Sequence, residues 1–249
     1  MSDTIRSLVF SVVLCLVCGT LLATASGGLK EIQQKNMTID KRANILKSVG
    51  LLAVDRKYTG TEINHLFEKS ISRLVVDSNG NVIPDTKEAL PEDHKELPIY
   101  LYTDANQKVA AYILPIDTRG LWGKIHGYLA LENDGATIKG FTIYQHSETP
   151  GLGGEIEQSW FQRNFVGKKI VDPQGDFVSI AIAKGKVESS VPMDRRVNYV
   201  DGISGATMTG KFLTQGLRDI LTSYEGVSIT FRNTKAYCKD NKKTPWCRQ

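Results

Sequence analysis

Between Leu8 and Ala25 the chain reads LVFSVVLCLVCGTLLATA, eighteen residues without a carboxylate, an amine or a guanidinium. Nothing else in the sequence restricts the fold so strongly. As a helix this stretch is about 27 Å long, close to the thickness of a bilayer's hydrocarbon core, and in lipid a lone segment satisfies its backbone only as a helix. Arg6 and the small residues Ala23-Thr24-Ala25 also fit the flanks of a cleaved secretory signal, but the run exceeds the roughly 7–15 apolar residues of such a core. An uncleaved anchor over residues 8–26 is therefore expected, behind a tail of residues 1–7. No second run of this length follows, so residues 27–249 have to fold in water.

A single span without acid or base cannot line an ion pathway by itself, and any ion pumping belongs to partner proteins. Cys15 and Cys18, at i and i+3, share one helix face, open either to joint metal ligation with another protein or to plain packing. Orientation is contested within the sequence. Lys30, Lys35, Lys41, Arg42 and Lys47 follow the span, which by charge bias alone keeps the large domain cytoplasmic. Cys238 and Cys247 are spaced so that a disulfide could close the C-terminal tail in an oxidising compartment, or they remain free thiols. The net charge of +4 is spread along the chain without a basic patch, which argues against a nucleic-acid surface.

Residues 27–70 read as a helical stalk and docking region: Leu29, Ile32, Ile45, Leu46 and Val49 recur among charges, and Thr59 to Glu62 forms a capping-box pattern opening a helix through Phe67. Residues 71–249 read as one soluble domain. Asn79-Gly80 between apolar stretches signals a hairpin, and VAAYILPID, GYLALEN, IKGFTIYQHS and FVSIAIAKG carry strand signals. Residues 84–98, with three prolines, read as an irregular loop. Helices are expected over 155–166 and 208–224. Many strands without strict strand–helix alternation point to an α+β fold with a mixed or antiparallel sheet.

Familiar catalytic patterns are missing. There is no G-x-G-x-x-G after a strand, no phosphate-binding P-loop and no G-x-S-x-G, and His65, His94, His126 and His146 show no ligand spacing. What stands out is DGISGATMTG, residues 201–210, placed directly before a helix. Unpaired N–H groups at a helix start favour an anionic phosphate, Gly205 and Ala206 let it approach the backbone, Lys211 falls in the first turn, and Thr207 adds a hydroxyl where the phosphate would sit. An ordinary cap, with Ser204 or Thr207 closing the helix, explains the same residues.

The pattern D-x-x-[ST]-G-A-T, present from Asp201 to Thr207, resembles the covalent flavinylation motif of the FMN-binding domain family, in which FMN is joined through its phosphate to the last threonine. With one N-terminal span, GLWGKIHGYLALE (120–132), ETPGLGGE (148–155) and the decapeptide follow in the order expected for the C-subunit family of sodium-translocating NADH:quinone oxidoreductases. The chain is also similar to the G subunits of Rnf-type ferredoxin:NAD complexes. The resemblance implies that Thr207 carries FMN as a phosphoester, attached from FAD by a separate magnesium-dependent flavin transferase to which Asp201 helps present the motif. It implies that Glu148, Thr149, Gly151, Leu152 and Gly153 lie near the flavin, beside the Ser204-Gly205-Ala206 turn. It further implies an electron carrier without an NADH site of its own, working with other membrane subunits of a sodium-pumping reductase that reduces ubiquinone, while sodium crosses elsewhere. Its domain would be periplasmic, anchored in a bacterial inner membrane. A third reading is a non-redox extracytoplasmic binding or assembly module, in which the decapeptide is only a helix cap.

Overall fold

The computed structural model describes residues 3–53, 56–83 and 96–233. Cys238 and Cys247, bridged or free, and most of the 84–98 loop lie outside them. The chain divides into two compact units, Met1–Lys41 and Arg42–Gln249.

The first unit is helical throughout its described residues, the greater part of α1 (Asp3–Ser48), and is long and apolar enough to cross a membrane by length and composition. Three hydroxyls within its apolar run are satisfied without water: Ser11 donates to the Ser7 carbonyl (3.0 Å), Thr20 to that of Leu16 (2.7 Å) and Thr24 to that of Thr20 (2.6 Å). Such i to i−4 bonds make these polar residues compatible with lipid.

In the second unit the end of α1 becomes part of the core, with Ala43, Ile45, Leu46 and Val49 all buried. Helix α2 (Gly60–Ser70) follows, and both reciprocal bonds of its capping box form between Thr59 and Glu62. The strands are β1 (Ile71–Val76), β2 (Val82–Ile83), β3 (Leu97–Thr103), β4 (Val109–Arg119), β5 (Lys124–Glu132) and β6 (Ile138–Gln145). They form one antiparallel sheet in the order β2-β1-β3-β4-β5-β6. After β6 come a 3-10 turn (Gly153–Glu157), α3 (Ser159–Arg163), β7 (Ala181–Ile182), α4 (Val187–Ser190), a second 3-10 stretch (Met193–Asn198), β8 (Tyr199–Val200), α5 (Thr207–Ser223) and α6 (Glu225–Arg232). Strands β7 and β8 pair in parallel, apart from the main sheet.

Strand alternation sends side chains to two faces. On one, Tyr112 stacks on Phe231 of α6 at 4.3 Å and donates to Ser228 Oγ (2.9 Å), while Phe141 stacks on Phe165 at 4.0 Å. Leu213, Leu217 and Leu221, one helical turn apart on α5, are fully buried in the same cluster, each worth about 1.5–3 kcal/mol. On the other face Thr142 donates to the Asn44 carbonyl (3.2 Å) and Tyr100 meets Phe67 of α2 at 6.5 Å, so the end of α1 and α2 form the second cover. The α+β architecture expected from sequence is the observed one.

Three local expectations need correction. Leu97 and Pro98, the end of the 84–98 loop, belong instead to a strand lying between β1 and β4; Pro98 is accommodated opposite Val75, and its carbonyl accepts from Tyr224 Oη (2.8 Å). Residues 155–166 do not form one helix, because Gln158 adopts an extended ψ of 140° and splits them into the 3-10 turn and α3. The run FVSIAIAKG yields only the two-residue β7, since Ser179 has a left-handed φ of 72° that interrupts an extended strand.

Candidate functional site

The start of α5 is built without a cap. Its N-cap is Ala206, φ −119° and ψ 34°, and no side chain accepts a bond there. The first helical bond runs from Gly210 N–H to the Ala206 carbonyl (3.0 Å), so the amides of Thr207, Met208 and Thr209 precede it and are met by no capping side chain. Neither Ser204 nor Thr207 closes the helix, and the ordinary-cap explanation of the decapeptide does not hold. Ser204, Gly205, Thr207 and Met208 are exposed and Ala206 is buried. Thr207 thus presents its hydroxyl from the first residue of a 17-residue helix, at the positive end of the dipole.

The two loops quoted from sequence meet at this point. Thr149-Pro150-Gly151-Leu152 is a tight turn with Gly151 at φ 74°, and the Thr149 carbonyl accepts from Leu152 N–H (3.1 Å) and Gly154 N–H (2.9 Å). Gly205 has φ 73°, and a Cβ there would stand 2.7 Å from Leu152 Cδ2. The left-handed backbone favours glycine at this position, and any side chain would have to push Leu152 aside.

Between the loops lies a cleft of about 330 Å³ lined by Leu121, Trp122, Glu148, Thr149, Leu152, Gly153, Gly205, Ala206, Thr207, Met208 and Thr209. Its large apolar members are open: Trp122 is 70% exposed, and Leu121, Leu152 and Met208 are each more than 40% exposed. Glu148 is instead buried, and both of its oxygens are used internally. Oε2 accepts from Thr209 Oγ1 (2.5 Å) and Oε1 from Trp122 N–H (2.9 Å), so one carboxylate joins the turn after β4, the loop after β6 and the first turn of α5.

The other expected residues face elsewhere. Thr207 and Ala206 also line a second cleft of about 460 Å³ with Lys211, Lys184, Ile182, Tyr199 and Phe212, so Lys211 lines a different cleft from Trp122. Asp201 lines a third cleft with Lys168, Lys186 and Arg196. Its Oδ2 accepts from Lys186 Nζ (2.7 Å) and its Oδ1 from Val187 N–H (2.8 Å). Partial burial pushes the Asp201 carboxyl up, but the bonds from Lys186 and Val187 and the charges of Lys186 and Lys168 outweigh it and hold the group below the usual carboxylate range. Lys186 is raised in return, chiefly by its bond to Asp201.

Sequence reading gave no role of their own to Leu121, Trp122, Met208 and Thr209, which complete the Thr207 cleft. The available signal was GLWG: a tryptophan between glycines at a strand end is hard to bury. The donor set suits a flavin mononucleotide. Open helix amides and a hydroxyl meet a phosphate, and exposed indole and aliphatic surfaces meet a large planar ring.

Comparison with known proteins agrees. The FMN-binding domain family matches residues 120–222, which contain every residue of the Thr207 cleft. The chain is 33% identical over 236 residues to the C subunit of a Na(+)-translocating NADH-quinone reductase from Pseudomonas aeruginosa, covering 84% of this chain and 88% of that one. The corresponding protein of Neisseria meningitidis serogroup A is 34% identical over 230 residues, covering 82% and 84%. Among solved structures, the C subunit of the Parabacteroides distasonis Na(+)-translocating NADH-quinone reductase superposes with a TM-score of 0.67 at 30% identity, covering 80% of this chain and 96% of that one.

Proposed function

Since the chain belongs to the C-subunit family of Na(+)-translocating NADH-quinone reductases, we propose that it carries FMN as a phosphoester on Thr207 and passes electrons within such a complex. The observation that carries this reading is the uncapped start of α5 with an exposed threonine hydroxyl on its first residue. An alanine N-cap is about 1 kcal/mol poorer than serine or threonine. A phosphate esterified at Thr207 would meet the open amides and the helix dipole, an interaction worth about 0.3–1 kcal/mol at an exposed site.

FMN supplies the capacity to take up and release electrons singly or in pairs. Thr207 would hold it, the open amides of α5 would donate to its phosphate, and Trp122, Leu121, Leu152 and Met208 would offer apolar surface to the ring. The glycine turn at 151–153 brings backbone close to the same cleft. Glu148 positions the three segments that form the cleft. In this reading α1 anchors the protein in a bacterial inner membrane with the domain in the periplasm, where a dissociable FMN could not be replaced from the cytoplasm. A separate FAD-dependent transferase forms the bond, and sodium crosses through other members of the complex.

Intact-mass measurement of the full chain, produced in a host with the transferase, tests the reading. A mass increase matching FMN, located on Thr207 and absent from Thr207→Ala, is expected, together with a fluorescent band on a denaturing gel. An unmodified wild-type chain from that host refutes it.

A further inference from the structure

Asp201 opens the motif six residues before Thr207, yet its side chain lies in a different cleft. Both carboxylate oxygens are engaged, one by Lys186 Nζ and one by Val187 N–H, and only 24% of the side chain is exposed. An incoming enzyme reading this carboxylate directly would first have to displace both donors. The neighbouring backbone is joined to the same corner: Gly202 N–H donates to the Gly185 carbonyl (2.8 Å) and Ala183 N–H to that of Val200 (2.9 Å). A Cβ on Gly202 would collide with the Ala183 carbonyl oxygen, so the two stretches of backbone are in direct contact. Three residues further on, Gly205 rests against Leu152. The loop that delivers Thr207 is therefore supported at both ends, by the 183–187 corner and by the 149–152 turn.

We infer that Asp201 is a positioning residue acting through Lys186: the ion pair fastens residues 201–202 to the 183–187 corner and so fixes where the Thr207 hydroxyl stands for modification. Lys186 then belongs to the attachment machinery although it lies outside the D-x-x-S-G-A-T pattern. This rests on the attachment of FMN at Thr207. Its chemistry is phosphoryl transfer from FAD: the Thr207 Oγ1–P bond forms, the pyrophosphate P–O bond to AMP breaks, and the hydroxyl proton leaves with the AMP phosphate or solvent.

The test measures early rates of mass gain in the full chain co-produced with limiting transferase. Asp201→Asn keeps an acceptor for Val187 N–H but loses the ion pair, and Lys186→Met loses the same pair from the exposed side. Each is expected to slow modification about two- to fivefold, the range of a partly exposed ion pair. The double variant should be no slower than either single one, and Lys186→Arg should stay near wild type. High salt should slow the wild type toward the variants while leaving their rates unchanged relative to each other. Because the Lys186 side chain is 75% exposed, its replacement leaves the core intact, which thermal unfolding checks independently. Modification of Lys186→Met at the wild-type rate while Asp201→Asn is slow overturns the inference, as do multiplied effects in the double variant. An unmodified wild type instead overturns attachment at Thr207, and the inference with it.

Discussion

Replacing Glu148 probes the joint on which the Thr207 cleft depends. The residue is 4% exposed and takes one bond from Thr209 Oγ1 and one from Trp122 N–H, reaching 61 and 26 residues along the chain. Bonds to a charged acceptor contribute about 1.5–3 kcal/mol each, from which the cost of burying the carboxylate has to be subtracted. Glu148→Ala removes both acceptors, leaves two donors unmet in a confined space and opens a hole. The expected loss is about 3–5 kcal/mol, close to that for breaking a buried charged network. For a domain of this size that lowers the unfolding midpoint by about 6–20 °C. Glu148→Gln keeps the shape and one good acceptor for Trp122 N–H, and the Thr209 hydroxyl can turn to accept from the new amide, so about 1–2 kcal/mol is expected. Calorimetry or circular dichroism of the detergent-solubilised chain, with urea titration for the free energies, measures both. An alanine variant within about 1 kcal/mol of wild type, or a glutamine variant as damaged as alanine, refutes the account of Glu148 as a structural joint.

Further outcomes follow from other sites. Gly153→Ala would bring a methyl within 2.5 Å of Thr209 Oγ1 and 2.7 Å of Glu148 Oε2, and should destabilise the same joint by about 1–3 kcal/mol in urea titration. Thr59→Ala dismantles the capping box of α2 and should cost about 1 kcal/mol with no effect on the mass gained at Thr207. The Asp201–Lys186 corner has a defined pH window. Asp201 has a lowered folded pKa, so its contribution is present above its ordinary 3.8 and is lost as pH falls through the lower folded value. Lys186 has a raised one, so its contribution is complete below 10.5 and is lost as pH rises through the higher folded value. The Val187 amide resonance should therefore be steady between these limits and titrate in acid; a midpoint at or above 3.8 contradicts the assigned contacts.

What could be read from the sequence alone was whatever is written locally. The eighteen-residue apolar run, the Thr59–Glu62 box, the Asn79-Gly80 hairpin and the periodic leucines of α5 each carry their signal within a few neighbours. Strand β3 was hidden because prolines and charges surround it and because Pro98 is accommodated where β3 pairs with β1 alone, short of the β4 ladder that begins at Tyr100. The break at Gln158 and the left-handed Ser179 likewise depend on contacts outside their own segments. At the site, the D-x-x-S-G-A-T pattern singled out Thr207, but nothing in it shows that Asp201 turns toward Lys186 or that Glu148 joins segments far apart in sequence. Such partnerships are set by tertiary packing, which one-dimensional pattern does not encode.

The burial of Ala43, Ile45, Leu46 and Val49 against the sheet limits how this protein can be shortened. Cutting at the end of α1, where the secondary structure suggests a natural border, would strip one side of the sheet of its lid and expose a greasy surface. A water-soluble version has to retain the helix from before Arg42, and a protease that trimmed further would destroy the domain it released.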